Sequence, residues 1–454
     1  MVFLKRKVIH RCTKCGYESI GMLGKCPECG SWGTLLETLI EDKKSKSGPS
    51  IKRNIKRLKE IESTNSDRVS LNMKEFNRVM GGGVVRDSVT ILSAKPGSGK
   101  STLLLQVANE FCKQGYKVLY ASGEESESQI RTRADRIIND IHNNLWVISD
   151  NSMDNVLDYI REIDPDLIIV DSIQTFILDE FSTSRAGSPT QTMECAHKLV
   201  TVAKNVERPR MVFVVGQMTK EDELAGLRAL EHLVDTVLII EGESGDELRT
   251  LLTTKNRYGS TGEMGFFNMT DKGMVSLDNP SEYFMSTNRG SNVTGSCITV
   301  VREGTRPIVL EVESLISQSF MPYPSRIAEC MRRDQLNTLI SILEQRGGVN
   351  LFDKNVVIKT TGGMKLKEQA SNLAVIMSIV SSALNIPIPN DIAFIADVGL
   401  TGELKKVPSL EARIKEVDRM GFSQAVIAPS KNLKTENLEL VQLKDLRQVI
   451  NLIK

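Results

Sequence analysis

No run of about 18 apolar residues occurs anywhere in the 454-residue chain, so no segment is expected to cross a membrane as a helix. Met1-Val2-Phe3-Leu4-Lys5-Arg6-Lys7 at the amino end lacks an apolar region of signal-peptide length, which points to the cytoplasm. Net charge is missing as well: 58 basic and 57 acidic side chains leave a formal +1. So weak a field gives no whole-molecule steering toward a polyanion, and any nucleic-acid contact has to come from a local patch or a channel. With 40% apolar and 25% charged residues, the chain suits a soluble protein of two or three domains with proper cores.

Eight cysteines fall into a cluster of four, Cys12, Cys15, Cys26 and Cys29, and a scattered set, Cys112, Cys195, Cys297 and Cys330. The scattered thiols sit in apolar or helical surroundings and read as reduced and partly buried. Cys12-Thr-Lys-Cys15 and Cys26-Pro-Glu-Cys29 are CxxC knuckles, each followed by a glycine, Gly16 or Gly30, that permits a tight turn. Four thiolates at this spacing suit tetrahedral Zn²⁺. Lys14, Lys25 and Trp32 beside them fit a solvated face and a small DNA or protein contact surface equally well. Residues 41–57, EDKKSKSGPSIKRNIKR, are basic and lack apolar periodicity, as a tether or a phosphate-contacting arm would.

Between the apolar stretches Val89–Leu92 and Leu103–Phe111 stands Ala94-Lys95-Pro96-Gly97-Ser98-Gly99-Lys100-Ser101-Thr102. It reads as a phosphate-binding loop between strand and helix, hence a site for ATP: backbone N–H groups of 95–102, Pro96 excepted, face the phosphates, Lys100 neutralises β- and γ-phosphate charge, and Ser101 offers its hydroxyl to Mg²⁺. Ala94 stands where the motif has its first glycine, a change the loop accommodates if that residue keeps a negative φ.

From Leu71 on, apolar strands at 89–93, 117–120, 145–148, 167–170, 211–215, 236–240 and 250–254 alternate with helices near 101–114, 126–138, 153–163 and 190–205, which predicts a parallel α/β sheet with ligands at the carboxyl ends of its strands. Asp171 ends one such strand and is placed to hold Mg²⁺ through its water shell. Ser122-Gly-Glu124-Glu125-Ser126 ends another; Glu124 is the choice for orienting and deprotonating water, with Glu125 available as base or as part of a helix start with Ser126. Gln217 ends a third, where its amide would sense the γ-phosphate.

These residues, with Met80-Gly-Gly-Gly-Val-Val85, Leu103-Leu-Leu-Gln106, Gly123-Glu-Glu-Ser126, Val170-Asp-Ser-Ile-Gln174 and Lys255-Asn-Arg-Tyr-Gly259, resemble the bacterial RadA (Sms) family of DNA-repair ATPases over nearly the whole chain. The family pentapeptide reads Lys-Asn-Arg-Phe-Gly, so Tyr258 is a mild departure; Gln217 stands where the family has His and is similar to the glutamine of RecA and DnaB. The resemblance implies a RecA-like core in a hexameric, DnaB-like ring with ATP between subunits, where Lys255 and Arg257 reach the neighbour's γ-phosphate. It implies a DNA-facing loop over 217–232, with Lys220 and Arg228, and a motor that acts on single-stranded and branched DNA with the RecA recombinase. A nucleotide-gated DNA-binding scaffold without translocation is the rival reading.

From about Ser286 a second α/β region is expected, with strands near 295–301, 307–314, 355–360 and 392–398 and helices near 327–346, 368–384 and 410–420. It is similar to the proteolytic domain of Lon, including Asp397-Val-Gly-Leu-Thr-Gly-Glu403. The Lon serine falls on Ala370, with Ser371 out of register, and the Lon lysine near Glu411, with Lys415 a helical turn away, so a protease lacks its dyad and a scaffold is expected. The domains then read 1–40 zinc finger, 41–65 basic linker, 66–285 ATPase and 286–454 Lon-like scaffold.

Overall fold

The computed structural model describes residues 7–19, 21, 24–40, 57, 59, 68–217, 226–242, 245–286 and 293–454. Nearly all of the expected basic linker, Lys220 and the side chain of Arg228 lie outside the described residues. The chain divides into two compact units, 1–64 and 65–454.

In the first unit, strand Lys7–Cys12 pairs antiparallel with Glu18–Ser19 and Leu35–Ile40. The two knuckles close by hydrogen bonds from Gly16 N to Cys12 O and from Gly30 N to Cys26 O, both 2.9 Å. Both glycines are left-handed, at φ +79° and +67°, the conformation an L side chain resists.

The second unit carries two sheets. The larger runs Gly273–Ser276, Met264–Thr270, Leu248–Asn256, Thr236–Glu241, Val89–Ala94, Met211–Gln217, Leu167–Asp171, Val118–Ser122, Leu145–Ser149. The last six are parallel, as the apolar runs and intervening helices predict, and the first three extend the sheet antiparallel. The antiparallel extension corrects the expectation of a purely parallel sheet. Apolar cores cover both faces of the parallel part: Leu92, Leu104, Tyr120 and Ile169 on one, Val89, Ile91, Ile168 and Val212 on the other. Helix Lys100–Lys113 buries Leu103, Leu104, Val107 and Phe111 on the first face. Helix Glu127–Ile137 starts on a capping box in which the Ser126 and Gln129 side chains satisfy each other's backbone N–H. All four scattered cysteines are fully buried rather than partly so.

The smaller sheet runs Arg326–Ala328, Lys354–Thr360, Arg306–Gln318, Ser296–Glu303, Ile392–Ile395, Gln424–Ile427, Glu439–Gln442. The helix expected over 327–346 starts later, at Arg333, because Arg326–Ala328 is drawn into the sheet as an edge strand parallel to Lys354–Thr360. The two sheets share one core, in which Met264 and Phe266 of the larger meet Phe284, Val301, Leu310 and Ile376. Around it, Arg306 pairs with Glu75 at 2.7 Å, Arg78 with Glu263 at 2.9 Å, and the Thr305 hydroxyl donates to Glu263 at 2.5 Å. A Cβ on Gly304 would lie 2.0 Å from the Gly262 carbonyl oxygen, so the backbones touch there.

Candidate active site

The phosphate loop joins the carboxyl end of a central strand to helix Lys100–Lys113. Ala94 is the last residue of that strand, extended and buried, with Gln217 and Ile240 beside it in register. The left-handed alternative for this position is thereby removed: the residues with φ > 0 are Gly97 (+77°) and Gly99 (+103°), which are glycines. Gly99 is fixed twice over, since a Cβ there would lie 2.5 Å from Met269 Cε. Within the loop, the Ser98 hydroxyl donates to Lys95 O at 2.8 Å, and buried Arg249 donates from Nε to Ser98 O at 3.3 Å. Lys100 Nζ reaches across the loop to the carbonyls of Ala94 (3.1 Å) and Lys95 (3.4 Å). Burial holds the Lys100 ammonium below its ordinary pKa, against the pull of Asp171 and Glu124.

Sheet order brings three strand ends together beside the loop. Strand Leu167–Asp171 lies between Met211–Gln217 and Val118–Ser122, so Asp171, Gln217 and the Glu124 turn converge. Asp171 Oδ2 accepts from Ser101 Oγ at 2.7 Å and from the Tyr120 hydroxyl at 2.6 Å. Tyr120 is almost fully buried, and burial first, then Asp171, pushes its hydroxyl well above the usual pKa. It therefore stays protonated and donates, orienting the carboxylate next to Ser101.

Glu124 Oε1 accepts from Ser172 Oγ (2.5 Å) and Gln217 Nε2 (2.9 Å). Its neighbour is differently employed: both Glu125 oxygens pair with the Arg133 guanidinium, each at 2.5 Å. Ser122 Oγ accepts from Glu125 N at 3.0 Å, and Gly123 N donates to Asp171 O at 2.9 Å, which fixes the turn. Gly123 is packed against Thr175, whose Oγ1 would be 2.0 Å from an added Cβ.

Lys255 and Arg257 are not brought to this cluster. Lys255 lies opposite Val237, which is level with Ile91, and Arg257 N bonds Asp235 O, whose own N bonds Val89 O. They therefore sit at the amino-terminal end of the parallel strands, with Arg257 about five residues, or ~16 Å, below Ala94. The Arg257 guanidinium is half exposed and pairs with buried Asp235 at 3.1 Å; Asp235 also pairs with Lys204 at 3.0 Å. Lys255 Nζ donates to Glu231 O at 2.5 Å, and burial, then Arg257, lowers its pKa.

Tyr120, Ser172, Arg249 and Asp235 join the functional residues through their contacts in the fold. Ser172 carries a local signal, a hydroxyl directly after Asp171; the others become visible only through strand order.

In the first unit the Sγ atoms of Cys12, Cys15, Cys26 and Cys29 all lie within 4.8 Å of one another, with Cys12–Cys29 at 3.7 Å and Cys15–Cys26 at 3.5 Å. A zinc tetrahedron with bonds of about 2.3 Å has sulfur–sulfur edges of about 3.8 Å, so the four thiolates fit Zn²⁺. Lys25 Nζ stands 5.8 Å from the ring centre of exposed Trp32.

In the smaller sheet's region, buried Ser371 donates its hydroxyl to Glu368 O at 2.9 Å, while Lys415 pairs with Glu411 at 2.9 Å on an exposed helix face. Between these elements lies Arg413, fully buried, bonded to Glu368 and to the carbonyls of Pro408 and Val300.

Family comparison matches residues 10–37 to a rubredoxin metal-binding domain and residues 56–221 to an AAA domain. The chain is 40% identical over 451 residues to DNA repair protein RadA of Bacillus subtilis, covering 97% of each. It is 38% identical over 452 residues to that of Campylobacter jejuni, covering 98% of this chain and 99% of the relative. Among solved structures it is similar to a KaiC-like protein of Pyrococcus horikoshii, at 18% identity and a TM-score of 0.39, covering 47% of this chain and 99% of that one.

Proposed function

This chain belongs to the RadA family of DNA repair proteins, and from that premise we propose that it is an ATP-driven DNA motor of recombinational repair. It is an ATP-hydrolysing enzyme whose AAA-type domain uses ATP and Mg²⁺ and whose ribbon holds Zn²⁺. In the proposed reading it assembles as a homohexameric ring, binds single-stranded DNA, and extends branched recombination intermediates with a RecA-type recombinase.

The roles follow from the chemistry of each group. The backbone N–H groups of 95–102, Pro96 excepted, and the Lys100 ammonium bind the triphosphate. Ser101 and Asp171 are the residues that hold Mg²⁺, which supplies charge neutralisation on the phosphate oxygens. Tyr120 keeps Asp171 aimed at that position. Glu124 accepts the proton of the attacking water: Ser172 and Gln217 both donate to Oε1, which leaves Oε2 for the water. Glu125 is committed to Arg133 and takes no part in the proton transfer. Gln217 touches Glu124 and is the first residue of the segment read as DNA-facing, so it links the state of the γ-phosphate to that segment. Lys255 and Arg257 serve the neighbouring subunit's γ-phosphate, and the smaller sheet's region is a scaffold for the ring.

The observation that carries this reading is that Lys255 and Arg257 lie at the end of the sheet opposite their own phosphate loop, while the charge a γ-phosphate develops needs cations at its own site. Single-turnover ATP hydrolysis and branch extension, measured for Lys100→Ala, Arg257→Ala and their mixture, test it. Each variant alone is inactive, and mixed rings recover part of both activities. No recovery, with subunit exchange verified by labelled protomers, refutes the shared site; ATP turnover without branch extension in the wild type leaves the nucleotide-gated scaffold.

A further inference from the structure

The finger loop Lys255–Gly259 has no regular structure past Asn256, yet a finger that acts in trans has to be held at a fixed aim. The segment 68–83, which precedes the phosphate-loop strand, holds it. Arg68 Nη1 donates to Gly81 O at 2.5 Å and Met80 O at 3.3 Å, and its Nη2 donates to Tyr258 O, 190 residues away. Asn256, itself buried, donates to Met80 O at 3.4 Å and accepts from Tyr258 N at 2.9 Å. Gly81 and Gly259 meet back to back: a Cβ on either would lie 3.2–3.3 Å from the other's Cα. The clasping segment is rigid in turn, since a Cβ on Gly83 would lie 2.7 Å from Val69 O and Asn77 bonds both the N and O of Leu71.

We propose that Arg68 is a positioning residue for the Lys255/Arg257 finger, fixing the loop from its backbone so that its cations are presented to the neighbouring subunit's nucleotide. The proposal rests on the trans-finger reading. Arg68 contacts three carbonyls through one planar fork, which a lysine's point charge does not reproduce. Its hydrogen bonds tie Tyr258 of the finger to Met80 and Gly81, and among the described residues none of them runs to the phosphate loop of its own subunit. Loosening it therefore costs transition-state stabilisation at the neighbour's site and leaves ATP binding at its own site untouched.

Steady-state ATP hydrolysis tests this with Arg68→Ala, Arg68→Lys and, as a second route to the same loop, Gly259→Ala. A misplacement of about 1 Å is expected to lower kcat by roughly 10- to 100-fold. KM for ATP stays within about twofold and Arg68→Lys falls between, because its single ammonium replaces part of the fork. Mixing Arg68→Ala with Lys100→Ala restores activity, since the second variant brings an intact clasp and finger to the first variant's intact loop. Wild-type kcat in both Arg68→Ala and Gly259→Ala, or a loss expressed in KM alone, overturns the proposal. So does failure of the Arg68→Ala mixture where the Arg257→Ala mixture recovers; failure of both mixtures overturns the trans-finger reading beneath it.

Discussion

Replacing Gly123 by alanine introduces one methyl group at the tightest point of the hydrolytic cluster. Gly123 is not in the left-handed region, so its backbone tolerates alanine and the whole effect is steric. The new Cβ meets Thr175 Oγ1 at 2.0 Å, Thr175 Cβ at 2.9 Å and Phe176 Cε2 at 3.3 Å. Thr175 relieves the first contact by rotating, at the cost of its 2.7 Å bond to Ser172 O, and a neutral hydrogen bond is worth about 1 kcal/mol. The contact between the two Cβ atoms remains, and overpacking of that kind costs roughly 1–3 kcal/mol. The expected loss of stability is thus about 2–4 kcal/mol, read as a lower midpoint in urea with an unchanged slope. Function suffers more than stability, because the strain falls between the turn that carries Glu124 and the Asp171-Ser172 step that orients it. A shift of about 1 Å there lowers kcat by roughly 100-fold. Gly123→Ala/Thr175→Ala removes the 2.0 Å contact but keeps the Cβ–Cβ one, so it recovers part of the loss. A Gly123→Ala protein with wild-type kcat and an unchanged midpoint would show that the Glu124 turn is not seated against Thr175 as described.

Tyr120→Phe removes one hydrogen bond to a carboxylate, worth roughly 1.5–3 kcal/mol, and is expected to weaken Mg²⁺-dependent ATP turnover by about tenfold or more in a magnesium titration. Ala94→Gly leaves ATP affinity unchanged in calorimetry, since the alanine is already extended; tighter binding by the glycine variant would contradict that backbone assignment. Metal analysis of the whole protein is expected to find one zinc per chain, and Cys26→Ser to lose it.

The phosphate loop, Asp171 and the four zinc ligands were legible because local order carries them: a glycine pattern between strand and helix, a carboxylate at a strand end, two knuckles with a glycine after each. Tyr120 was not, since its partnership with Asp171 arises from strands 118–122 and 167–171 being neighbours in the sheet, and sequence order does not contain sheet order. The choice of Glu124 over Glu125 is sharpened by Arg133, eight residues on along the helix that follows Ser126, which pairs with both Glu125 oxygens. The strands 264–270 and 273–276 escaped notice because Gly265, Asn268, Thr270 and Gly273 dilute the apolar signal. Met264 and Phe266 are buried against Phe284 and the core beyond, Phe267 and Met274 against the core that holds Leu103 and Phe111, and no local window contains either.

The touching backbones at Gly262 and Gly304 make the carboxyl-terminal half an inseparable part of the enzyme. A truncation after about residue 285 would leave Met264 and Phe266 bare, take Arg306 from Glu75 and the Thr305 hydroxyl from Glu263, and leave Arg78 to serve both carboxylates. Such a fragment is expected to aggregate instead of behaving as a minimal ATPase, and domain exchange among relatives has to carry both halves together.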